Sequence, residues 1–213
     1  MPALLSVNVV HALIPDGWGS VDRTAIDKRP VAGSSAIEQL GVAGDAQCDT
    51  KNHGGLDQAV YAYADEDRAW WAAQLRRDLA PGSFGENLTT QGVDVTNAVI
   101  GERWRIGTVT LAVTTPRIPC DTFAGFWGVK DLVKRFTQHG APGAYLSVVA
   151  AGEVAAGDAV DIVHRPAHGL TIADVFAARA GARDRVALLA TVAEATEEDR
   201  GWARRVMSAG TGS

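Results

Sequence analysis

The segment Thr114-Thr115-Pro116-Arg117-Ile118-Pro119-Cys120 carries a thiol and, three residues before it, a guanidinium. A thiolate is both a nucleophile and a soft metal ligand, and a fixed positive charge beside a thiol favours the ionised form. The two prolines cannot donate to a strand ladder, so a strand arriving through Val109, Leu111 and Val113 has to stop there and present Cys120. The plainer reading is that cysteine is among the most often buried residue types and behaves as a small hydrophobe. Which reading holds depends on what the rest of the chain brings to Cys120.

Cations and backbone N–H groups are the natural partners of such a centre. Residues 24–31 alternate, which puts Lys28 on the face of Thr24 and Ile26. It is then either a buried cation that requires an anion or a lysine that snorkels from a strand edge. Cys48 to Gly55 is a polar loop ending in His53-Gly54-Gly55. Paired glycines let consecutive N–H groups converge on an oxyanion, with Lys51 and His53 as further donors, although Gly-Gly equally builds a tight turn. A second glycine-bearing loop, Pro81 to Leu88, contains Phe84 and Gly85 and places the hydrogen-bonding side chains of Glu86 and Asn87 just before apolar Leu88. An ordinary connection is the alternative there.

The elements that must position these residues are mainly strands. Leu5, Val7 and Val9 alternate in a first strand, and Val60 to Tyr63 form a short one. Asp65 is placed to cap a helix through about Arg77, in which Trp71 and Leu75 share a core-facing side. Residues 99–114 read as two strands separated at Gly107. Val129, Leu132, Val133 and Phe136 repeat as one helix face, with Gly140 at its C-terminal end. Ala144, Leu146 and Val148 make another strand, and Val160 and Ile162 the last. Beyond Arg165-Pro166 the alternation gives way to three helical segments, signalled by Thr171 with Asp174, by Asp184, and by Thr196 with Asp199. This predicts a first domain over residues 1–165 and a small three-helix unit over 166–213, which is too short to be stable alone and must pack on the first domain or on another subunit.

With 213 residues, 46% of them hydrophobic, the chain can bury a substantial core. A net charge of -5 gives no general attraction to nucleic acid or to an anionic membrane, so an anion site must be a local cluster of cations. The N-terminal residues lack the positive start of a secretory signal, and no apolar run reaches membrane-spanning length. A cytoplasmic location follows as an expectation, with Cys48 and Cys120 as two reduced thiols rather than a disulfide.

Five segments in order resemble the MOSC domain, the family named for the C-terminal domain of molybdenum cofactor sulfurases. They are Thr24-Ala25-Ile26-Asp27-Lys28, His53-Gly54-Gly55 followed by Ala59-Val60-Tyr61, Gly82 to Leu88, Ile100 to Trp104, and Pro116-Arg117-Ile118-Pro119-Cys120. The tail is similar to the helical unit of a bacterial branch whose members resemble reductases of N-hydroxylated purines. The resemblance implies a mainly β fold with some α: a closed, strand-rich β-barrel with a few peripheral helices and the three-helix unit. It also implies a pterin-dithiolene molybdenum cofactor with Cys120 as the protein's sulfur ligand. Lys28, His53, Gly54, Gly55, Phe84, Gly85, Glu86, Asn87 and Arg117 would hold it. Leu56 and Gln58 stand where relatives often carry proline and a basic residue, and Asp121 stands where they commonly have a bulky or aromatic one.

The resulting expectation is a molybdenum-dependent reductase of N-hydroxylated small molecules. Cys120 is the metal ligand, and Asp121 and His53 are candidates to supply protons. No dinucleotide fingerprint is present, so electrons would come from a separate redox partner such as a flavoprotein reductase. The rival reading is a carrier, in which Cys120 bears a persulfide or holds cofactor for delivery without turnover. Neither nucleic acid nor membrane is expected as a partner, and a homodimer is left open.

Overall fold

The computed structural model describes residues 1–19, 21–49 and 54–210. Its strands are β1 (Ala3–Val10), β2 (Ile14–Pro15), β3 (Arg23–Thr24), β4 (Lys28–Pro30), β5 (Ser34–Glu38), β6 (Gly41–Val42), β7 (Val60–Ala64), β8 (Leu88–Gln91), β9 (Arg103–Ile106), β10 (Val109–Pro116), β11 (Ala144–Ala150), β12 (Gly152–Ala155) and β13 (Val160–His164). The helices are α1 (Asp65–Leu75), α2 (Asp121–Trp127), α3 (Leu132–His139), α4 (Ile172–Arg179), α5 (Val186–Leu189) and α6 (Glu197–Gly210), with a 3-10 turn at Leu56–Gln58. None of the helices among the described residues is long and apolar enough to cross a membrane.

Eight strands make the main sheet in the order β13-β9-β10-β11-β7-β8-β1-β4. Its pairs are antiparallel except β7 with β8, and α1 supplies the crossover that a parallel pair requires. The implied closed barrel is not what forms: β4 and β13 are the two edges of an open sheet. The physical reason lies in β1. Its residues Asn8 to Val10 pair with β4, and Ala3 meets Ala159 in an isolated bridge at the start of β13. Three backbone bonds there, including Leu4 N–H to the Asp158 carbonyl at 2.8 Å, bring the two ends together without a continuous ladder. β12, β5 and β6 form a second sheet, and β2 with β3 a small hairpin.

One apolar cluster runs from Leu4, Ile37 and Leu111 to Leu170, Ile172, Leu189 and Ala203, so the helices after residue 165 lie on the sheet. A second, aromatic cluster gathers Tyr61, Tyr63, Trp71, Phe84, Phe123 and Phe136 under α1, α2 and α3.

Three local details differ from the sequence expectation. A bulge between Leu4 and Ser6 reverses the alternation of β1, so Leu4 is buried and Leu5 exposed. Asp65 is the first residue of α1 rather than its cap, which is Ala64. Arg185, not Asp184, precedes α5, and it makes no side-chain cap.

Candidate active site

β10 ends at Pro116, whose register partner is Ala144, as a proline terminus requires. Arg117 then turns inward and is 6% exposed. Its guanidinium donates to the Phe84 carbonyl and lies 4.4 Å from the Phe123 ring and 5.3 Å from the Tyr61 ring. Burial works against this charge, but Tyr61, Tyr145 and Cys120 around it outweigh burial and raise its pKa. Arg117 Nε is buried and finds no hydrogen-bond partner among the described residues. Cys120 is the residue before α2, in extended conformation, and its carbonyl accepts the Ala124 N–H. Cys48 and Cys120 are both thiols, not a disulfide.

A cleft of about 1090 Å³ opens on this corner, large enough for a cofactor-sized ligand. Cys120, Asp121 and Arg117 line it from the end of β10 and the start of α2. Gly54 and Gly55 line it from the loop before the 3-10 turn. Both have positive φ, of 90° and 76°. At Gly54 a side chain would also run into Gln47, so glycine is required there. The turn is tied to β10 by the Thr114 hydroxyl, whose single O–H is shared between the Asp57 and Tyr145 carbonyls.

Lys28, Gly85 and Asn87 also reach the cleft. Lys28 is the buried cation of the two alternatives, and its anion is internal: Nζ is paired with the Asp45 carboxylate. Burial pushes the lysine's pKa down against the pull of Asp45. Asn87 Nδ2 donates to the same carboxylate at 2.8 Å, and its Oδ1 accepts the Tyr61 N–H at 3.1 Å. Asn87 therefore fastens β7 to the Lys28–Asp45 pair.

Phe84 and Glu86 do not line the cleft. Glu86 is fully buried and accepts from the N–H groups of Gly82 and Phe84 and from the Thr89 hydroxyl, which closes its own loop. Phe84 stacks on Tyr63 with ring centres 4.1 Å apart, and what it gives the site is its carbonyl to Arg117. A carboxylate in a tight glycine loop satisfies the loop's own N–H groups before it can face a ligand. His53 lies outside the described residues.

Several cleft residues were not singled out from sequence. Tyr145 sits opposite Tyr61 in the β11–β7 register, their rings 5.1 Å apart. Burial raises the Tyr145 pKa, opposed by Arg117, so its phenol is held protonated beside Arg117 and Cys120. The signal was present: on β11 the alternation that buries Leu146 turns Tyr145 to the opposite face. Asp45 and α2 had no such signal, since Asp45 lies in a glycine turn and α2 begins directly on the cysteine. From the other side of the cleft, Arg179, Thr196 and Glu198 enter from the C-terminal helices.

This fold and this corner define a MOSC-domain protein, and the chain belongs to that family: the MOSC domain model matches residues 49–161. Among curated relatives, the uncharacterized protein YflK of Bacillus subtilis is 34% identical over 170 residues, 80% of this chain and 77% of that one. A protein named Reductase from Gibberella moniliformis is 31% identical over 147 residues, 67% of this chain but 26% of that much longer one. The crystal structure of YiiM from Geobacillus stearothermophilus superposes with a TM-score of 0.79 at 26% identity, covering 96% of this chain and 98% of the other.

Proposed function

We propose that this MOSC protein binds a molybdenum cofactor in the Cys120 cleft and reduces N-hydroxylated small molecules with electrons from a separate redox partner, such as a flavoprotein reductase. The observation that carries the reading is the pairing, just past the end of β10, of a cleft-lining cysteine with a buried arginine whose Nε has no partner among the described residues. An unsatisfied buried donor is costly, and an anionic ligand group would satisfy it. Among the described residues no three His, Cys, Asp or Glu side chains converge as a metal's ligand set. A dithiolene cofactor brings its own sulfur ligands, and a soft cysteine thiolate suits the metal it carries.

When bound, the cofactor would supply a two-electron reductant able to take oxygen from an N–O bond. The overall change is R–NHOH plus two protons and two electrons to R–NH2 and water. Cys120 Sγ would be the thiolate ligand, and Arg117 and the backbone at Gly54 and Gly55 would hold anionic groups of the cofactor. Lys28 contributes less than an unpaired lysine would, since its charge is balanced by Asp45. Asp121, exposed in the first turn of α2 and lining the cleft, would be the candidate to relay a proton to the departing oxygen. A relative named Reductase matches this chain over 26% of its own length.

The test is molybdenum by elemental mass spectrometry, with an extracted-pterin assay, on protein from a molybdenum-replete host. Wild type should hold metal and pterin near one per chain, and Cys120→Ala should lose the metal. Absence of both from repeated wild-type preparations sinks the reading, and one extra sulfur on Cys120 by intact mass would then identify the carrier.

A further inference from the structure

The hairpin of β2 and β3 is fastened to the helix that Cys120 precedes. Asp16 Oδ1 accepts the N–H groups of Trp18 and Gly19, at 3.1 and 2.9 Å. Its Oδ2 accepts the Thr122 hydroxyl of α2 at 2.7 Å. Burial opposes the carboxylate charge, but these three bonds outweigh it and hold Asp16 below its usual pKa. The latch sets Trp18 against Gly125 so closely that a Cβ on Gly125 would lie 2.1 Å from the indole Cγ. Glycine inside a helix weakens it, so this one is explained by the close approach. One side of the indole is thus covered by helix backbone. Trp18 also lines the cleft and remains 45% exposed. Gly125 is five residues past Cys120, about 7.5 Å along the helix axis at 1.5 Å per residue.

A single exposed tryptophan on a surface needs no explanation. Here three features coincide: a latched loop, a glycine seat, and a place in the lining of the cleft that holds Cys120. Ile118 and Leu56, also exposed and also lining the cleft, extend the apolar rim.

We infer that Trp18, seated on Gly125, is a stacking platform for a planar ring of the ligand that enters the Cys120 cleft. The inference rests on reading that cleft as the substrate site, and Trp18 is a specificity-determining residue in it. An aromatic face held rigid by its backing gains more from stacking than one that must be ordered on binding.

Benzamidine and acetamidine carry the same amidinium with and without a ring, and titration calorimetry on the full chain compares them with no turnover required. Wild type should bind benzamidine roughly five- to tenfold more tightly than acetamidine. Trp18→Ala should abolish that preference, and Trp18→Phe should keep most of it. Gly125→Ala pushes the indole off its seat without deleting it and should lose the preference with an unchanged far-UV spectrum. The inference is overturned by a wild type that shows no ring preference, or by a folded Trp18→Ala or Gly125→Ala that retains it. Ring preference retained in protein that never holds molybdenum would instead keep the platform and remove the reductase reading.

Discussion

Asp45 is the residue on which the Lys28 corner depends. Its Oδ1 accepts the Val10 N–H at 2.9 Å, while Oδ2 takes Lys28 and Asn87. Both members of the ion pair are nearly buried, and removing one charge from such a pair is expensive because the other is left uncompensated. Asp45→Asn should therefore cost about 3 kcal/mol in urea unfolding. Adding Lys28→Met to it should recover most of that loss, since the unpaired charge is gone. A full cost in the double variant would show that the carboxylate acts through Val10 and Asn87 instead. That Lys28 shares the face of Ile26 was legible because strand alternation has a fixed period, but whether that face turns inward was left open. Its partner Asp45 was not legible, since 17 residues and a glycine turn separate the two.

At the scale of elements, start signals in the tail differ in what they deliver. Thr171 and Asp174 form the complete reciprocal box at the start of α4, with both bonds present. Thr171→Ala should lower stability by about 1 kcal/mol. Asp184 makes no cap, so Asp184→Ala should stay within about 0.5 kcal/mol of wild type. Equal effects of the two substitutions in thermal or urea unfolding would contradict these cap assignments. At Thr196 the carboxylate is shared: Asp199 Oδ2 lies 3.0 Å from the Thr196 hydroxyl, which also accepts the Asp199 N–H, and the same carboxylate receives Thr115 and Arg179. A capping motif is local chemistry, and a buried carboxylate in one also takes the charged partner that tertiary packing brings to it.

Across the whole molecule, Asp199 joins the C-terminal helices to the strand that carries the site. Only 2% exposed, it receives Arg179 Nε at 3.0 Å and Thr115 Oγ1 at 2.7 Å, and Thr115 stands two residues before Arg117. Asp199→Ala should cost about 3 kcal/mol, a downward shift of roughly 1–2 M in the urea midpoint. Because one apolar cluster spans sheet and helices, that unfolding should remain a single transition by fluorescence and circular dichroism. Separate transitions for the two probes would mean that the tail unfolds by itself. The sequence alone determined the strand-rich first part, the hairpin around Gly107, the helical tail and the ending of β10 at the prolines before Cys120. Each of these follows from short-range rules: side-chain period, the missing N–H of proline, and the φ that glycine permits. Its five ordered segments also identified the family. The tertiary structure alone decided that the sheet stays open, that Glu86 serves its own loop, and that Asp45 neutralises Lys28. It also decided that Trp18 rests on Gly125. These outcomes depend on which distant groups arrive at the same point, and no local pattern in the chain encodes that distance.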